Sequence, residues 1–345
     1  RKKLSEQLKK IQHISNLYNI EEQEILSKLL TNNSCAESVF FCNSGAEAIE
    51  SAIKLIKKYG NNKDKSKESL ILAAESSFHG RTIGALSATG QPKYQQGFEP
   101  LLSGFRFFKY NNIESIKKLF SESAQNNQKI SGIIIEPIQG EGGVIPGDKN
   151  FFRELRELCD KNDTLLILDE VQSGVGRTGK MWGYENLDIE PDGFTLAKGL
   201  GGGHPIGALL VKKKANIFNP GDHASTFGGN PFACRAAITV IEEIKRRNLL
   251  QNVISKGTQI EEGLCQMVSD FPNFIKGRRG MGLLQGIVLK ENSIDLKTVT
   301  AKAFENGLLV VPAGSNVIRI VPPLTISRNE TKQLLKKLYS IFKDF

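Results

Sequence analysis

The chain has 345 residues, which is enough for two domains, and its composition is that of an ordinary globular protein. No apolar stretch approaches the roughly 20 residues that a membrane-spanning helix needs, so we expect no contact with a membrane. The formal net charge of +9 suits an anionic substrate or cofactor. The basic residues are scattered and are not interleaved with aromatic residues, and we therefore set nucleic-acid binding aside.

The cysteine pattern argues against metal and disulfide chemistry. None of the five cysteines forms a CxxC pair, and the four histidines lack the spacing of metal ligands. We therefore predict neither a zinc site nor a disulfide framework. Most of the cysteines lie in apolar stretches and read as small buried side chains, which fits a reducing cytoplasm. The amino-terminal residues are polar and do not resemble a secretory signal.

The first elements are helical. Residues 1 to about 32 predict one or two amphipathic helices, because Leu4, Leu8 and Ile11 recur at helical spacing. We interpret His13, in the same segment, as a surface or packing residue.

A strand over residues 38–42 is followed by a helix that begins near Ser44. Ser44 and Glu47 form a capping-box pattern, and an apolar face continues to about residue 56. A helix entered through Ser-Gly presents free backbone N–H groups, which suit a phosphate. An ordinary capped helix explains these residues equally well.

The next strand, over residues 70–74, leads to Phe78 and Arg81. An aromatic side chain at the end of a strand can stack on a flat ring, although it can also belong to the core. The guanidinium of Arg81 suits a planar carboxylate, and the alternative is a surface salt bridge.

A strand over residues 105–110 precedes a stronger candidate over residues 132–137, which contains Glu136. A glycine-rich loop follows it and carries Glu141. Two carboxylates so close together could act as general acid and base, but a lysine later in the chain suits that role better. Residues 150–162 predict a helix.

The two strongest chemical signals come next. The apolar run that begins at Leu165 predicts a strand buried on both faces, with Asp169 at its carboxyl end, where open α/β sheets bind ligands. A second apolar run ends at Lys198 and is followed by glycines. Apolar surroundings lower the pKa of a lysine, and a neutral amine can form a Schiff base with an aldehyde. An aspartate facing a ring nitrogen and such a lysine are what pyridoxal phosphate chemistry requires.

The remaining residues predict a further strand over 206–211, a turn-rich loop over 223–231, and a helix from about residue 233. A smaller α+β domain follows, with single strands over 280–289, 307–312 and 317–323. Arg319 is flanked by β-branched residues and therefore lies within a strand, where its charged group needs a carboxylate partner or solvent.

Two stretches carry a family resemblance. The sequence Asp-Glu-Val-Gln-Ser-Gly-Val-Gly-Arg-Thr-Gly from Asp169, followed by Thr-Leu-Ala-Lys ending at Lys198, resembles the class III pyridoxal-phosphate aminotransferases of fold type I. The resemblance covers nearly the whole chain. It implies an α/β fold: a large domain with a mixed, mostly parallel sheet flanked by helices, and a smaller α+β carboxyl-terminal domain.

The resemblance also implies domain limits. We expect an amino-terminal helical segment at 1–32, a large cofactor-binding domain at 33–232 and a small domain at 233–345. Relatives carry further residues before the position of Arg1, so we expect that an amino-terminal part of the enzyme is missing.

The family assigns roles to matching residues. Lys198 would hold pyridoxal 5'-phosphate covalently and move protons, while Asp169 faces the ring nitrogen. The other cofactor-binding residues implied by the resemblance are Ser44, Gly45 and Ala46 at the phosphate, Phe78 over the ring, Gln172, and Thr226, which reaches across a homodimer interface. The implied substrate-binding residues are Arg81, Glu141, Arg319 and Ser225, with Glu141 pairing with Arg319. No residue is assigned to a metal.

The implied reaction moves the terminal amino group of N-acetylornithine to 2-oxoglutarate and gives N-acetylglutamate semialdehyde and glutamate, a step of arginine biosynthesis. The implied protein is a cytoplasmic homodimer with shared active sites. Ornithine or succinylornithine aminotransferases, an aminomutase of the same class, and a truncated, catalytically idle cofactor-binding protein stay open as alternatives.

Overall fold

A computed structural model describes residues 2–345 of the chain. The strands in this part form a seven-stranded sheet, a four-stranded sheet and a two-stranded ribbon. The helices are α1 (Lys2–Gln7), α2 (Glu21–Thr31), α3 (Gly45–Lys63), α4 (Ile83–Ser87), α5 (Pro92–Gln95), α6 (Ile113–Gln125), α7 (Lys149–Lys161), α8 (Pro231–Arg246), α9 (Leu249–Asp270), α10 (Leu296–Glu305) and α11 (Arg328–Lys343). The strands are β1 (Ser38–Cys42), β2 (Glu68–Ala74), β3 (Phe105–Phe108), β4 (Gln128–Ile135), β5 (Ile138–Gln139), β6 (Ile145–Pro146), β7 (Leu165–Asp169), β8 (Gly193–Leu196), β9 (Gly207–Val211), β10 (Ile275–Met281), β11 (Leu284–Leu289), β12 (Val311–Ala313) and β13 (Val317–Ile320).

The large sheet determines where side chains can meet. Its strand order is β1-β9-β8-β7-β4-β2-β3. Strands β3, β2, β4, β7 and β8 are parallel, while β9 runs antiparallel to both β8 and β1. Strand β1 therefore points in the same direction as the parallel strands. The carboxyl ends of β1, β2, β4, β7 and β8 consequently lie along one edge of the sheet.

Helices cover both faces of this sheet, as its sequence predicts. All five residues of β7 are buried. Leu166 and Leu168 belong to one hydrophobic cluster, and Leu165 and Ile167 belong to another on the opposite face. A strand of continuous apolar residues is stable only where both faces are covered. The mixed, mostly parallel sheet flanked by helices that the family resemblance implies is confirmed.

The smaller sheet, in the order β10-β11-β13-β12, is antiparallel and packs on a cluster that includes Val253, Val299 and Leu338. The single strand predicted over residues 280–289 is wrong, because β10 and β11 form a hairpin here. Gly282 turns the chain with φ +55°, a conformation that favours glycine, and a Cβ there would lie 2.6 Å from the carbonyl carbon of Thr178.

The amino-terminal prediction is only partly confirmed. Helices α1 and α2 exist, but α1 ends at Gln7, so Leu8 and Ile11 lie beyond it and are exposed. Their spacing marks no continuous helical face. None of the helices in residues 2–345 has an apolar stretch that would carry it through a bilayer.

The domain limits stay a prediction. The expected limit between residues 232 and 233 falls in the first turn of α8. Side chains of α8 such as Ala237 and Ile241 pack in the same cluster as Leu166 of the large sheet.

Candidate active site

Five strand ends meet at one cavity, which contains most of the predicted cofactor residues. Ser44 follows β1, Phe78 follows β2, Glu136 follows β4, Asp169 ends β7 and Lys198 follows β8. All five side chains line a cavity of about 470 Å³ at that edge of the large sheet. This is where open α/β sheets bind ligands.

Asp169 is buried and fixed on both of its oxygen atoms. Oδ1 accepts a hydrogen bond from the backbone N–H of Val171 at 3.0 Å, and Oδ2 lies 2.7 Å from Nδ1 of His79. The imidazole is itself buried, and its Nε2 has no hydrogen-bond partner among residues 2–345. The sequence reading missed His79, which holds the carboxylate in one orientation toward the cavity.

Lys198 projects into the cavity from the end of β8. Its backbone has φ +40°, a strained conformation that few residues other than glycine adopt and that is often found at functional sites. Burial lowers the pKa of its amine, although the charges of Asp169 and Glu141 act in the opposite direction. A lowered pKa increases the fraction of neutral, nucleophilic amine, as predicted for a lysine that bonds to an aldehyde.

The first turn of α3 forms a cradle at the other end of the cavity. Ser44 caps the helix, and its Oγ accepts a hydrogen bond from the N–H of Glu47 at 3.2 Å. A Cβ added at Gly45 would lie 3.0 Å from both methyl carbons of Val171, so a larger residue would crowd Val171 at the start of the helix. The remaining N–H groups of the first turn suit a phosphate.

Glu136 is a second buried carboxyl group in the same cavity. Burial, helped by the negative charge of Asp169, raises its pKa well above the ordinary value. One of its oxygens accepts a hydrogen bond from the N–H of Phe78 at 3.2 Å. The raised pKa favours the protonated form of the group, and its hydrogen bond fixes the start of the segment that carries Phe78.

An adjoining cavity of about 580 Å³ contains a charged cluster next to Lys198. Nη1 of Arg319 lies 2.6 Å from Oε1 of Glu141, and the amide of Gln172 contacts both residues, at 3.2 and 3.1 Å. Burial would raise the pKa of Glu141, but the charge and hydrogen bond of Arg319 outweigh it, and the pKa is lowered. Glu141 is thus an anion paired with Arg319.

Arg81 lies at the mouth of the cofactor cavity. Its guanidinium carbon is 4.5 Å from the ring centre of Tyr94 and 5.6 Å from that of Phe78. Its side chain is exposed, and no carboxylate of residues 2–345 pairs with it. Aromatic stacking leaves the edge of the guanidinium available to an anion.

Ser225 and Thr226 lie apart from Lys198 in this single chain. They line a different cavity together with His13 and Phe40. Oγ of Ser225 accepts a hydrogen bond from Nδ2 of Asn43 at 3.0 Å, and the side chain of Thr226 is exposed. Neither residue lines the cavity of Lys198, and their predicted contacts with cofactor and substrate stay predictions.

The cavity fits the groups of pyridoxal phosphate. A buried carboxylate, a lysine with a lowered pKa and a helix N-terminus converge on it, which matches the needs of a ring nitrogen, an aldehyde and a phosphate. Asp169, Lys198 and the residues from Ser44 to Ala46 would hold these three groups. Phe78 lines the space between them.

Comparison with known proteins supports this cofactor assignment. Residues 2–342 match the family described as Aminotransferase class-III. The chain is 74% identical to the acetylornithine aminotransferase of Prochlorococcus marinus subsp. pastoris over 344 residues, which is 100% of this chain and 83% of that protein. It is 49% identical to the acetylornithine aminotransferase of Synechocystis sp., covering 97% of this chain and 79% of that protein.

Solved structures share the fold. The ornithine aminotransferase of Toxoplasma gondii matches with a TM-score of 0.94 at 28% identity, over 99% of this chain and 81% of that chain. The N-acetylornithine aminotransferase of Stenotrophomonas maltophilia matches with a TM-score of 0.83 at 34% identity, over 100% of this chain and 85% of that chain. The chain therefore belongs to the class III aminotransferases, which are enzymes that depend on pyridoxal 5'-phosphate.

Proposed function

We propose that this aminotransferase moves the terminal amino group of N-acetylornithine to 2-oxoglutarate, producing N-acetylglutamate semialdehyde and glutamate, and so serves arginine biosynthesis. The observation that carries the proposal is the Glu141–Arg319 pair beside Lys198, with the unpaired Arg81 at the mouth of the cofactor cavity. The names of the relatives described above support the choice of amine donor.

Two guanidinium groups suit two substrates that react at different atoms. N-acetylornithine reacts at its terminal amine, which is far from its α-carboxylate, whereas 2-oxoglutarate and glutamate react at the α-carbon. Arg81, at the cavity mouth, can bind the distant carboxylate of the first substrate. Arg319, next to Lys198, can bind the near carboxylate of the second.

The pairing of Glu141 with Arg319 controls when Arg319 can bind a substrate carboxylate. With Glu141 paired to it, the charge of Arg319 is neutralised, and the region beside Lys198 does not attract the carboxylate of an α-amino acid. When 2-oxoglutarate enters, its carboxylate replaces Glu141. Gln172, which contacts both partners, can stabilise the closed pair.

The chemical roles follow from the positions of the side chains. Pyridoxal phosphate, when bound, supplies an electron sink for the carbanion that forms at the amine-bearing carbon. Lys198 would move a proton between that carbon and the aldehyde carbon of the cofactor, because its lowered pKa makes the neutral amine available as a base. Asp169, held by His79, would keep a proton on the ring nitrogen of the bound cofactor.

We further propose a cytoplasmic homodimer with shared sites. All five cysteines are free thiols, which suits a reducing compartment. Thr226 is exposed on a loop away from Lys198, as expected for a residue that completes the site of a second subunit.

The test is a comparison of amine donors without keto acid. The cofactor-loaded protein is mixed with N-acetylornithine, N-succinylornithine or ornithine, and the loss of the visible cofactor band is followed. We expect N-acetylornithine to react fastest. Ornithine is the second candidate because of the structural match to an ornithine aminotransferase, and a faster reaction with ornithine would replace our proposal.

A further inference from the structure

A polar stripe runs along α3, the helix whose first turn forms the phosphate cradle. Glu47, Ser51, Lys54 and Lys58 are spaced at i, i+4, i+7 and i+11 and therefore lie on one face. These four residues contact residues 222–225 of the loop that precedes α8.

The loop runs antiparallel to the stripe. Asp222 forms an ion pair with Lys58, and its backbone carbonyl accepts a hydrogen bond from Lys54 at 2.8 Å. His223 lies between Ser51 and Lys54, with ring nitrogens 2.9 and 3.0 Å from their polar atoms. The loop is thus attached at successive turns of the helix.

Ser225 continues the attachment toward the cradle. Its hydroxyl donates to Oε2 of Glu47 at 3.4 Å, and Oε2 also accepts from the backbone N–H of Asn43 at 3.0 Å. The backbone N–H of Glu47 in turn donates to Oγ of Ser44, the residue that caps the helix. The carboxylate of Glu47 therefore connects the phosphate cradle to the loop that carries Thr226.

His223 is the central anchor of this loop. The hydroxyl of Ser51 already donates to the carbonyl of Glu47 at 2.8 Å, so it accepts from Nε2 of His223, and Nδ1 is left to accept from Lys54. Burial and the charge of Lys54 lower the pKa of His223, which agrees with a neutral ring. The ring also stacks on Phe40 of β1, with centres 4.7 Å apart.

We propose that His223 is a positioning residue that acts in trans: it fixes the loop on α3 so that Thr226 meets the cofactor phosphate of the partner subunit. This inference rests on the shared active site of the proposed function. It follows that α3 links two phosphate sites, because its first turn forms one and its polar stripe positions a residue of the other.

The test uses mixed dimers in which only one subunit contains Lys198, so that only one site retains covalently held cofactor. In the first arrangement, His223→Ala is placed in the Lys198→Ala subunit. The intact site then receives its loop from the altered subunit. In the second arrangement, His223→Ala is placed in the subunit that keeps Lys198, whose site receives an unaltered loop.

The readout is the rate at which the cofactor leaves, followed by its visible absorbance after dilution into a trap. We expect about tenfold faster loss in the first arrangement, as the removal of one or two hydrogen bonds commonly gives, and an unchanged rate in the second. Equal rates, or faster loss only in the second arrangement, would overturn the inference.

Two further variants make the result interpretable. Lys54→Met changes an exposed residue and removes the hydrogen bonds of Lys54 to His223 and to the carbonyl of Asp222 without opening the core, so it should show an asymmetry in the same direction if His223→Ala fails to fold. Asn61→Ala, at an exposed position of α3 beyond the loop, should change neither arrangement.

Thr226→Ala distinguishes a failure of the proposed shared site from a failure of the role proposed for His223. If it shows no asymmetry in the same arrangements, the shared site of the proposed function fails. If it shows the asymmetry and neither His223→Ala nor Lys54→Met does, only the role of His223 fails.

Discussion

The ion pair between Glu141 and Arg319 should control which amine donors react. The two side chains are only 24% and 12% exposed, and the nitrogen and oxygen atoms are 2.6 Å apart. Glu141→Gln removes the negative charge but keeps an oxygen that can accept the hydrogen bond. The carboxylate of an α-amino acid such as glutamate then competes with a neutral amide for Arg319.

The size of the effect follows from the strength of such contacts. A hydrogen bond between charged groups contributes about 1.5–3 kcal/mol, and every 1.4 kcal/mol corresponds to tenfold in rate or affinity. We therefore expect Glu141→Gln to shift the ratio of kcat/KM values roughly ten- to hundredfold toward glutamate and away from N-acetylornithine.

The assay measures single turnovers of the loaded enzyme with each donor, without keto acid, from the visible band of the cofactor. Glu190→Gln serves as the matched control, because Glu190 is an exposed carboxylate that pairs with Lys212 outside both cavities. An unchanged donor ratio in Glu141→Gln would refute the role of Glu141 as the partner that covers Arg319.

Three other expectations concern the cofactor, the core and pH. His79→Leu leaves the buried carboxylate of Asp169 without its imidazole partner, so the cofactor Kd, measured by absorbance titration, should rise roughly tenfold or more. His79→Gln should recover part of the lost cofactor affinity. Trp182→Ala removes a fully buried indole and should lower the free energy of unfolding by about 3–5 kcal/mol, measured in urea. Because the pKa of Lys198 is lowered in the folded state, the unfolded chain holds more protons as pH rises from that lowered pKa toward 10.5. The apoprotein should therefore gain stability relative to Lys198→Met as the pH rises through that lowered pKa toward 10.5, and a constant or falling difference in urea unfolding would contradict this sign.

The chemistry could be predicted from the sequence where a residue follows a strand directly. Asp169 and Lys198 end or follow neighbouring parallel strands, and parallel strands bring their carboxyl ends to one edge of a sheet. Both residues are found at the expected cavity. Ser44 and Phe78 also follow strands, but their residue types leave a purely structural role open, and only the family resemblance assigns them to the cofactor.

Residues that act through distant contacts were missed. His79 meets Asp169 although 90 residues separate them and β4 lies between their strands. The only available signal was its place next to Phe78 at a strand end. No local sequence pattern predicts such a contact, because the contact depends on the strand order of the sheet.

The other differences between predicted and observed elements occur at a turn and near the amino terminus. The apolar residues over 280–289 read as one strand, yet the positive φ of Gly280 and Gly282 creates a hairpin. Leu8 and Ile11 kept a helical spacing without a helix, since apolar residues can remain exposed and local spacing alone does not secure a short helix.

The most direct test of the account is steady-state formation of glutamate from N-acetylornithine and 2-oxoglutarate by the wild-type protein and by Lys198→Ala. We predict turnover by the wild type and none above the background in the variant, because Lys198 both holds the cofactor and moves the proton. Sustained turnover by Lys198→Ala, or a loaded wild-type protein that forms no glutamate, would contradict the account.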